Sequence, residues 1–183
     1  MPELRPGKLL VATPLLEDPS FRRSVVLLCT HDDRGSFGLV LNRPLEAAVA
    51  DLLPEWRDVV SAPYVLFSGG PVDRAQAFAL GRGGIGHDVP GWTPVTGEVG
   101  LLSLEGELGS LGAVEDVRLF AGYAGWSDGQ LETEVAEEAW FVVDALPRDV
   151  FTMHPARLWQ DVLRRQPGTL ALFALFPPDP LLN

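Results

Sequence analysis

The sequence predicts an α+β fold built around a mostly antiparallel sheet, and three observations support that prediction. Short apolar runs rich in Val and Leu recur along the 183 residues, separated by brief turns that contain Gly or Pro. Two of these runs, 24–30 and 37–41, flank the turn at 32–35 and predict an antiparallel hairpin. Short segments with helical spacing lie among the strands, which is typical of α+β domains rather than of parallel α/β architecture.

Each predicted strand is an apolar run bounded by turn residues. These runs lie at 8–12, 24–30, 37–41, 64–67, 75–80, 99–104, 117–123, 140–146 and 169–176. The last of them precedes a pair of prolines and is predicted to be a buried strand.

Four helical segments are predicted between the strands. The Asp-Pro pair at 18–19 supplies an N-cap and a first helical residue for a single turn. Residues 45–53 are predicted to form a short helix, and Ser127 with Gln130 matches the Ser-x-x-Gln capping box that starts a third. Pro155 begins the last helix. Its predicted buried face holds Leu158, Trp159, Val162 and Leu163.

The third helix carries two further local signals. Trp126 and Leu131 occupy the two positions of a hydrophobic staple, which fixes the direction in which the chain enters a helix. The carboxylates that follow are predicted to form the solvent face of this helix. They are Glu134, Glu137 and Glu138.

The protein is acidic, and its charge is unevenly placed. It has 14 basic and 25 acidic residues, a net charge of −11, and residues 98–146 hold 11 acidic residues against one basic residue. A protein that grips DNA directly needs a basic stripe to displace counterions from phosphates. The charge therefore argues against direct nucleic-acid binding, but it leaves room for a local basic site among residues 1–60. The acidic stretch is either a solvated face or a docking face for a basic partner.

Cysteine content and end segments indicate a cytoplasmic protein. Cys29 is the only cysteine, so no intramolecular disulfide can form, and it lies in an apolar run where it is expected to pack as a small hydrophobe. The first eight residues lack the apolar core of a signal peptide. The longest apolar run near either end, 170–176, is far shorter than the roughly 20 residues of a membrane helix.

Arginines beside the first hairpin form a candidate anion site. Arg22, Arg23 and Arg43 flank this hairpin, and the backbone amides at Gly69 and Gly70 could complement them around an anionic group. The alternative is that these arginines form ordinary ion pairs with nearby carboxylates, which would carry little functional meaning.

One short motif suggests a hydrolase. Gly125 to Gly129 matches the Gly-x-Ser-x-Gly nucleophile pattern, with Ser127 between a predicted strand and a predicted helix. Asp144 or Asp149 and then His154 follow in the order of a catalytic triad. Against this alternative, the hydrolase fold needs a parallel sheet, and Ser127 is already explained as a helix cap.

No pattern predicts a metal or cofactor. The glycines at 81–86 match Gly-x-Gly-x-x-Gly, but Pro90 follows closely and no helix can start there to hold a pyrophosphate. Cys29 and His31 lie near two aspartates, but no second cysteine supports a zinc site.

Several ordered segments of the chain resemble those of one bacterial family. The segments are 7–14, 18–25, 38–44, 69–72, 122–126 and 129–132, together with His31, Gly35 and the stretch from Phe151 to Trp159. They cover the chain from about residue 7 to residue 176, and as an ordered set they are specific. On these segments the chain resembles the AlgH/YqgE family.

The resemblance implies an α+β fold with a mostly antiparallel, barrel-like sheet and helices packed on the outside. It implies a single domain over residues 1–183, of which 177–183 form a short tail. Proteins of the family are cytosolic and mostly uncharacterised, and one branch is described as a transcriptional regulator of alginate synthesis. The resemblance brings no catalytic residues with it. The family pattern Gly-Trp-x-x-Gly-Gln-Leu does not require the serine at 127, which weakens the hydrolase alternative.

The residues that fall in the family's motifs, with Arg23, form the candidate surface for a ligand or partner, although the glycines could equally serve the fold. They are Arg23, His31, Asn42, Arg43, Gly69, Gly70, Trp126, Gly129 and Gln130.

The sequence thus predicts a non-enzymatic regulatory or binding protein of the cytoplasm. It would act through a protein partner or a small anionic ligand, without direct binding to nucleic acid or membrane. Any effect on transcription would be indirect. The alternative is a hydrolase that uses Ser127 with His154.

Overall fold

A computed structural model describes residues 2–83, 90–105 and 111–178. Within these residues the chain forms ten strands and four short α-helices. The strands are β1 (Lys8–Ala12), β2 (Val25–Asp32), β3 (Gly35–Val40), β4 (Pro44–Ala48), β5 (Val65–Ser68), β6 (Val72–Gly83), β7 (Trp92–Thr96), β8 (Val99–Leu102), β9 (Val114–Trp126) and β10 (Trp140–Asp144). The helices are α1 (Val49–Leu52), α2 (Gln130–Ala136), α3 (Pro147–Val150) and α4 (Leu158–Arg164).

The strands form one mostly antiparallel sheet that curls into half a barrel, which confirms the predicted fold class. Neighbouring strands follow the order β10-β1-β2-β3-β9-β6-β8-β7, and each pair along this path is antiparallel. Strand β5 pairs in parallel with β9, and β4 pairs with β5. Because β9 contacts β3, β5 and β6, it joins the first hairpin to the rest of the sheet.

The first hairpin is confirmed. Strands β2 and β3 pair with Val26 opposite Val40, and the register shifts between Leu28 and Thr30. Cys29 lies at this irregularity, is buried, and packs in the core as predicted. Burial in apolar surroundings raises the pKa of its thiol, because the thiolate would lose its hydration.

The predicted final strand is wrong. Gly168–Leu175 is a 3-10 helix, and it begins at a glycine with φ of +66°. Instead of joining the sheet edge, the segment folds back onto α4, and Phe173 packs on Phe141 of β10 with ring centroids 4.8 Å apart. Leu172 and Leu175 are exposed, so the run is not buried throughout.

The predicted helix over 45–53 is only partly correct. Residues 44–48 form β4, and the helix α1 that follows is a single turn. Strand β4 pairs with β5, and Pro44 lies opposite Phe67. The backbone of this segment therefore forms hydrogen bonds with a neighbouring strand instead of within a helix. By contrast, β6 and β9 are longer than the apolar runs that predicted them.

The start of α2 also differs from the prediction. Its N-cap is Gly129, with φ of +71°, rather than Ser127. Half of the predicted capping box is present, because the Ser127 N–H donates to Gln130 Oε1 over 3.0 Å. Trp126 and Leu131 lie in one buried cluster, as expected of a staple.

Helix α4 confirms its predicted face, since Leu158, Trp159, Val162 and Leu163 are all buried. These side chains pack in the main core together with residues from β1, β2, β3 and β9. The curled sheet surrounds this core. Among the described residues, no helix has both the length and the apolar character needed to cross a bilayer.

Candidate functional site

Asn42 connects the end of β3 to the start of β2. Its Oδ1 accepts the Val25 N–H over 3.0 Å, and its Nδ2 donates to the Arg23 carbonyl over 2.9 Å. The side chain is only 8% exposed, so these two bonds satisfy a nearly buried amide. Together they hold Arg23 in the left-handed region at φ of +55°, a conformation that a non-glycine residue adopts only under constraint.

The Arg23 guanidinium lies over an indole ring. Its guanidinium carbon is 4.0 Å from the centre of the Trp159 ring, and Nη1 donates to the Phe176 carbonyl over 3.0 Å. The Trp159 Nε1 in turn donates to the Ala12 carbonyl over 2.8 Å, which fixes the ring on which Arg23 stacks. Partial burial, and then the neighbouring charge of Arg22, lowers the pKa of Arg23.

Arg22 and Arg43 also donate to main-chain carbonyls. The Arg43 Nη2 donates to the Arg22 carbonyl, and the Arg22 Nη2 donates to the Pro178 carbonyl. Partial burial lowers the pKa of Arg43, since a guanidinium is harder to hold charged away from water. Each of these arginines is therefore oriented by neutral acceptors.

A cavity of about 420 Å³ opens between these side chains, and we call it the Asn42 cleft. It is lined by Pro19, Arg22, Arg23, Asn42, Arg43, Ala156 and Trp159. Ion pairs elsewhere in the described chain use other basic residues, and none involves the three cleft arginines. The arginines of the cleft thus keep their charge without a carboxylate partner among residues 2–83, 90–105 and 111–178.

A second, smaller cavity of about 180 Å³ shares Pro19 and Arg43 with the Asn42 cleft, and we call it the Gly70 cleft. Its other lining residues are Ser20, Val40, Ser68, Gly70, Pro71 and Arg74. Sequence reasoning missed Arg74; its position two residues after the Gly69–Val72 motif was the available signal.

The glycine pair plays a different part from the one expected. The Gly69 N–H donates to the Ala121 carbonyl over 2.9 Å, so it is not available to an anion. A Cβ on Gly70 would clash with the Tyr123 carbonyl, so this glycine lets β5 approach β9. Gly70 does border the second cleft, where Arg43 is another lining residue.

The other motif residues form a separate group beside α2. Glu134, predicted to face solvent, accepts the indole N–H groups of Trp126 and Trp140 over 2.8 and 2.9 Å. Gln130 Nε2 donates to the second oxygen of the same carboxylate over 2.9 Å. This network gives Trp126 and Gln130 a structural role, and Gly129 has one as the N-cap of α2. None of the three lines the Asn42 cleft or the Gly70 cleft.

His31 lies on the hairpin and faces α2. Its Nδ1 is 2.8 Å from Ser36 Oγ, and its Nε2 is 3.5 Å from Glu132 Oε1. The arrangement has the residue types of a catalytic triad, but Ser36 is only 9% exposed and lines neither arginine cleft. The contacts join the hairpin to α2.

The hydrolase residues do not assemble. Ser127 Oγ donates to Gln130 Oε1 over 3.2 Å, whereas His154 lines a groove of about 1200 Å³ on another part of the surface. We call this the Asp149 groove. Asp149 there accepts two hydrogen bonds from Arg165, and Asp144 accepts one from Lys8 over 2.7 Å. No described contact therefore links Ser127 to a histidine or to a carboxylate that could orient one.

Metal-binding groups do not converge in the described chain. Among those residues, no three His, Cys, Asp or Glu side chains come together as they would around an ion. Residues 84–86 of the glycine-rich segment at 81–86, and His87, lie outside the described residues.

Comparison with known proteins identifies the family. A family model described as AlgH-like matches residues 9–171. The chain belongs to the AlgH-like family. A UPF0301 protein of Streptomyces coelicolor is 52% identical over 182 residues, covering 97% of this chain and 94% of the relative. A UPF0301 protein of Mycobacterium tuberculosis is 45% identical over 180 residues, covering 96% and 89%.

Two solved structures share the fold. A crystal structure of a Corynebacterium diphtheriae protein has a TM-score of 0.90 and 35% identity, and the match covers 96% of this chain and 94% of that one. The solution structure of the Pseudomonas aeruginosa AlgH protein has a TM-score of 0.70 and 28% identity, with 97% and 98% covered. These proteins form an uncharacterised group, so membership assigns a fold and not an activity.

Proposed function

We propose that this AlgH-like protein is a non-enzymatic binding protein whose Asn42 cleft takes an anionic group from a small ligand or a protein partner. One observation supports the proposal above all. Arg22, Arg23 and Arg43 line one cavity, and main-chain carbonyls rather than carboxylates orient them. Guanidinium groups held in this way are ready to form charge-assisted hydrogen bonds with phosphate or carboxylate oxygens.

The surroundings of the cleft favour selective binding. Cation–π contact with Trp159 and the two bonds of Asn42 fix Arg23 before any ligand arrives, which reduces the entropy lost on binding. The net charge of −11 repels nucleic acid at long range, so the site suits a small anion or one anionic group on a partner. A regulatory role in the cytoplasm, with any effect on transcription indirect, is part of this proposal.

Thermal unfolding in increasing inorganic phosphate tests the site. A ligand that binds only the folded state at about ten times its Kd adds roughly 1.4 kcal/mol, which raises the Tm of a protein of this size by about 3–6 °C. We expect this rise for the unmodified protein and its loss in Arg43→Ala. The control is Arg57→Ala, an exposed arginine paired with Asp58 over 3.2 Å, which should keep the full rise.

The same pair of variants separates the two kinds of occupant. If the occupant is a protein partner, its complex should weaken with Arg43→Ala and be displaced by excess phosphate. If neither phosphate nor other small anions shift the Tm of the unmodified protein, the proposed small-ligand role is wrong.

The absence of catalysis is a separate part of the proposal. We expect a serine-directed fluorophosphonate probe to leave Ser127 and Ser36 unlabelled, since one bonds to a glutamine and the other is nearly buried. Mass spectrometry of the probed protein locates any adduct. A covalent adduct at either serine would show an activated nucleophile and contradict the non-enzymatic role.

A further inference from the structure

We propose that the ligand carries a diphosphate group, with one phosphate in the Asn42 cleft and the next in the Gly70 cleft; this inference rests on the proposed function. The two cavities meet at Pro19 and Arg43, which line both of them. An anionic chain that fills one cleft therefore reaches the other by passing a single guanidinium.

The charge of the two clefts exceeds what one phosphate can neutralise. Arg22, Arg23 and Arg43 line the first cleft, and Arg74 adds a fourth cation in the second. None of the four forms an ion pair within the described part of the chain. A phosphate monoester carries a charge of only about −1.5 to −2, so two linked phosphates balance the four guanidiniums better than one.

Arg43 has the geometry of a bridging group. A guanidinium presents five N–H donors in a planar fork, and the Arg22 carbonyl accepts from only one of its nitrogens, Nη2. The remaining donors are available to oxygens on neighbouring phosphates. Arg43 is thus placed to bind both groups of a diphosphate.

The Gly70 cleft supplies neutral donors as well. Ser20 and Ser68 line it, and hydroxyls readily donate to phosphate oxygens. The carboxylate at this turn, Asp18, accepts the Ser20 backbone N–H over 2.8 Å. Asp18 is thus tied to the backbone of this turn, and no hydrogen bond from the Ser20 hydroxyl to it is recorded among the described residues.

A third cavity gives an organic diphosphate room for its remaining part. It measures about 450 Å³ and shares Arg22, Arg23 and Trp159 with the Asn42 cleft. Its other walls are largely apolar and include Leu15, Leu16 and Phe176. Free pyrophosphate would leave this cavity empty, whereas a diphosphate ester could place its organic group there.

Isothermal titration with phosphate, pyrophosphate and ADP tests the inference on the full chain. One added guanidinium–phosphate contact is expected to make pyrophosphate bind at least about tenfold tighter than phosphate. Arg74→Ala should remove this advantage while leaving the affinity for phosphate within about twofold. Because Arg74 is exposed, its replacement should not disturb folding, and circular dichroism verifies that.

A charge-matched control separates a built site from general attraction. Arg148→Ala removes one exposed positive charge from the Asp149 groove and should change neither affinity. Equal loss of pyrophosphate binding in Arg148→Ala and Arg74→Ala would overturn the inference, as would pyrophosphate binding no tighter than phosphate. In both cases Arg43-dependent phosphate binding would still support the proposed function. If phosphate and pyrophosphate both fail to bind, the proposed function itself fails.

The ADP arm identifies the source of the diphosphate. ADP binding that matches pyrophosphate and weakens in Arg74→Ala indicates an organic diphosphate. Tight binding of pyrophosphate alone, equally sensitive to Arg74→Ala, indicates the inorganic ion.

Discussion

The Asn42 cleft and the Asp149 groove both contain arginines, but different groups satisfy them. In the groove, Arg165 contacts both oxygens of Asp149, and Arg82 donates to Asp116 over 2.7 Å. In the cleft, Arg22 and its neighbours donate to backbone carbonyls. In the larger cavity Arg82 and Arg165 are thus neutralised by carboxylates, whereas the three arginines of the smaller cavity have no carboxylate partner among the described residues.

The difference shows that an arginine's chemical environment decides its availability more than its exposure does. A carboxylate both orients a guanidinium and neutralises it, whereas a carbonyl orients it and leaves the charge for a ligand. Cavity size alone would therefore select the Asp149 groove, whereas the arginines without carboxylate partners select the Asn42 cleft. If arginines in the two regions divide into structural and binding groups, their replacement should affect stability in one region and ligand binding in the other.

We expect the largest loss of stability from replacing Arg118, which contacts Ala62 in the wall of the Asp149 groove. This side chain is fully buried, stacks 4.4 Å above the Phe67 ring, and donates to the carbonyls of Val150 and Ala62 over 2.9 and 2.6 Å. Burial lowers its pKa to about 10. Arg118→Ala should cost about 4 kcal/mol of unfolding free energy, because it leaves a cavity and two buried acceptors without donors. Urea unfolding measures this cost, and a loss below about 1 kcal/mol would show that Arg118 is not structural.

Asp149→Asn should have the next largest effect. Asp149 is nearly buried, and besides Arg165 it accepts the Leu146 N–H over 2.7 Å. Neutralising one partner of a buried ion pair leaves the other charge uncompensated, which costs about 3 kcal/mol. The control is Asp161→Asn, whose contacts to Arg157 and Arg164 are exposed and long, at 3.9 and 3.8 Å, and should cost less than about 0.5 kcal/mol. Similar unfolding curves for the two variants would contradict the distinction.

Arg43→Ala should destabilise the protein far less than either change in the groove region. It removes a hydrogen bond to a carbonyl at a partly exposed site, so we expect about 1 kcal/mol or less in urea unfolding without phosphate. Its effect should appear instead in ligand binding. A loss above about 2 kcal/mol without ligand would mean that Arg43 maintains the fold, and the comparison between the two regions would fail.

The smallest expected effect concerns an exposed ion pair at the sheet edge. The hydrogen bond from Lys8 lowers the pKa of Asp144 below its ordinary value of 3.8. A carboxyl with a lowered folded pKa adds stability above its unfolded pKa, near 4, and loses it as the pH falls through the folded pKa. Asp144→Asn should therefore cost about 0.5 kcal/mol at pH 7 and nothing near pH 2. A cost that persists at low pH would show that the contact does not act through charge.

Much of the fold follows from local sequence patterns. Valine- and leucine-rich runs predict the strands because burial favours apolar side chains in a sheet. This preference does not depend on which strand is the neighbour. The face of α4 follows from the spacing of Leu158 and Val162 in the same way. The run at 169–176 misled this reasoning, since a proline before Gly168 and packing on α4 favour a 3-10 turn over a strand.

The candidate site was less predictable. The sequence indicated Arg22, Arg23 and Arg43 as a possible anion site but favoured ordinary ion pairing as the explanation. Arg74 became part of the site only through the pairing of β6 with β9. Glu134 shows the opposite case, because a carboxylate with helical spacing proved to accept two indole N–H groups.

The sequence by itself determined the family, the antiparallel sheet and the presence of arginines beside the first hairpin, because these depend on residue type and on near neighbours in the chain. The tertiary structure decided which arginines lack a neutralising carboxylate. Whether a guanidinium meets a carboxylate or a carbonyl depends on groups far away in sequence: Arg23 reaches Phe176, and Arg165 reaches Asp149. These contacts between residues distant in sequence, and not the residue types, distinguish the Asn42 cleft from the Asp149 groove.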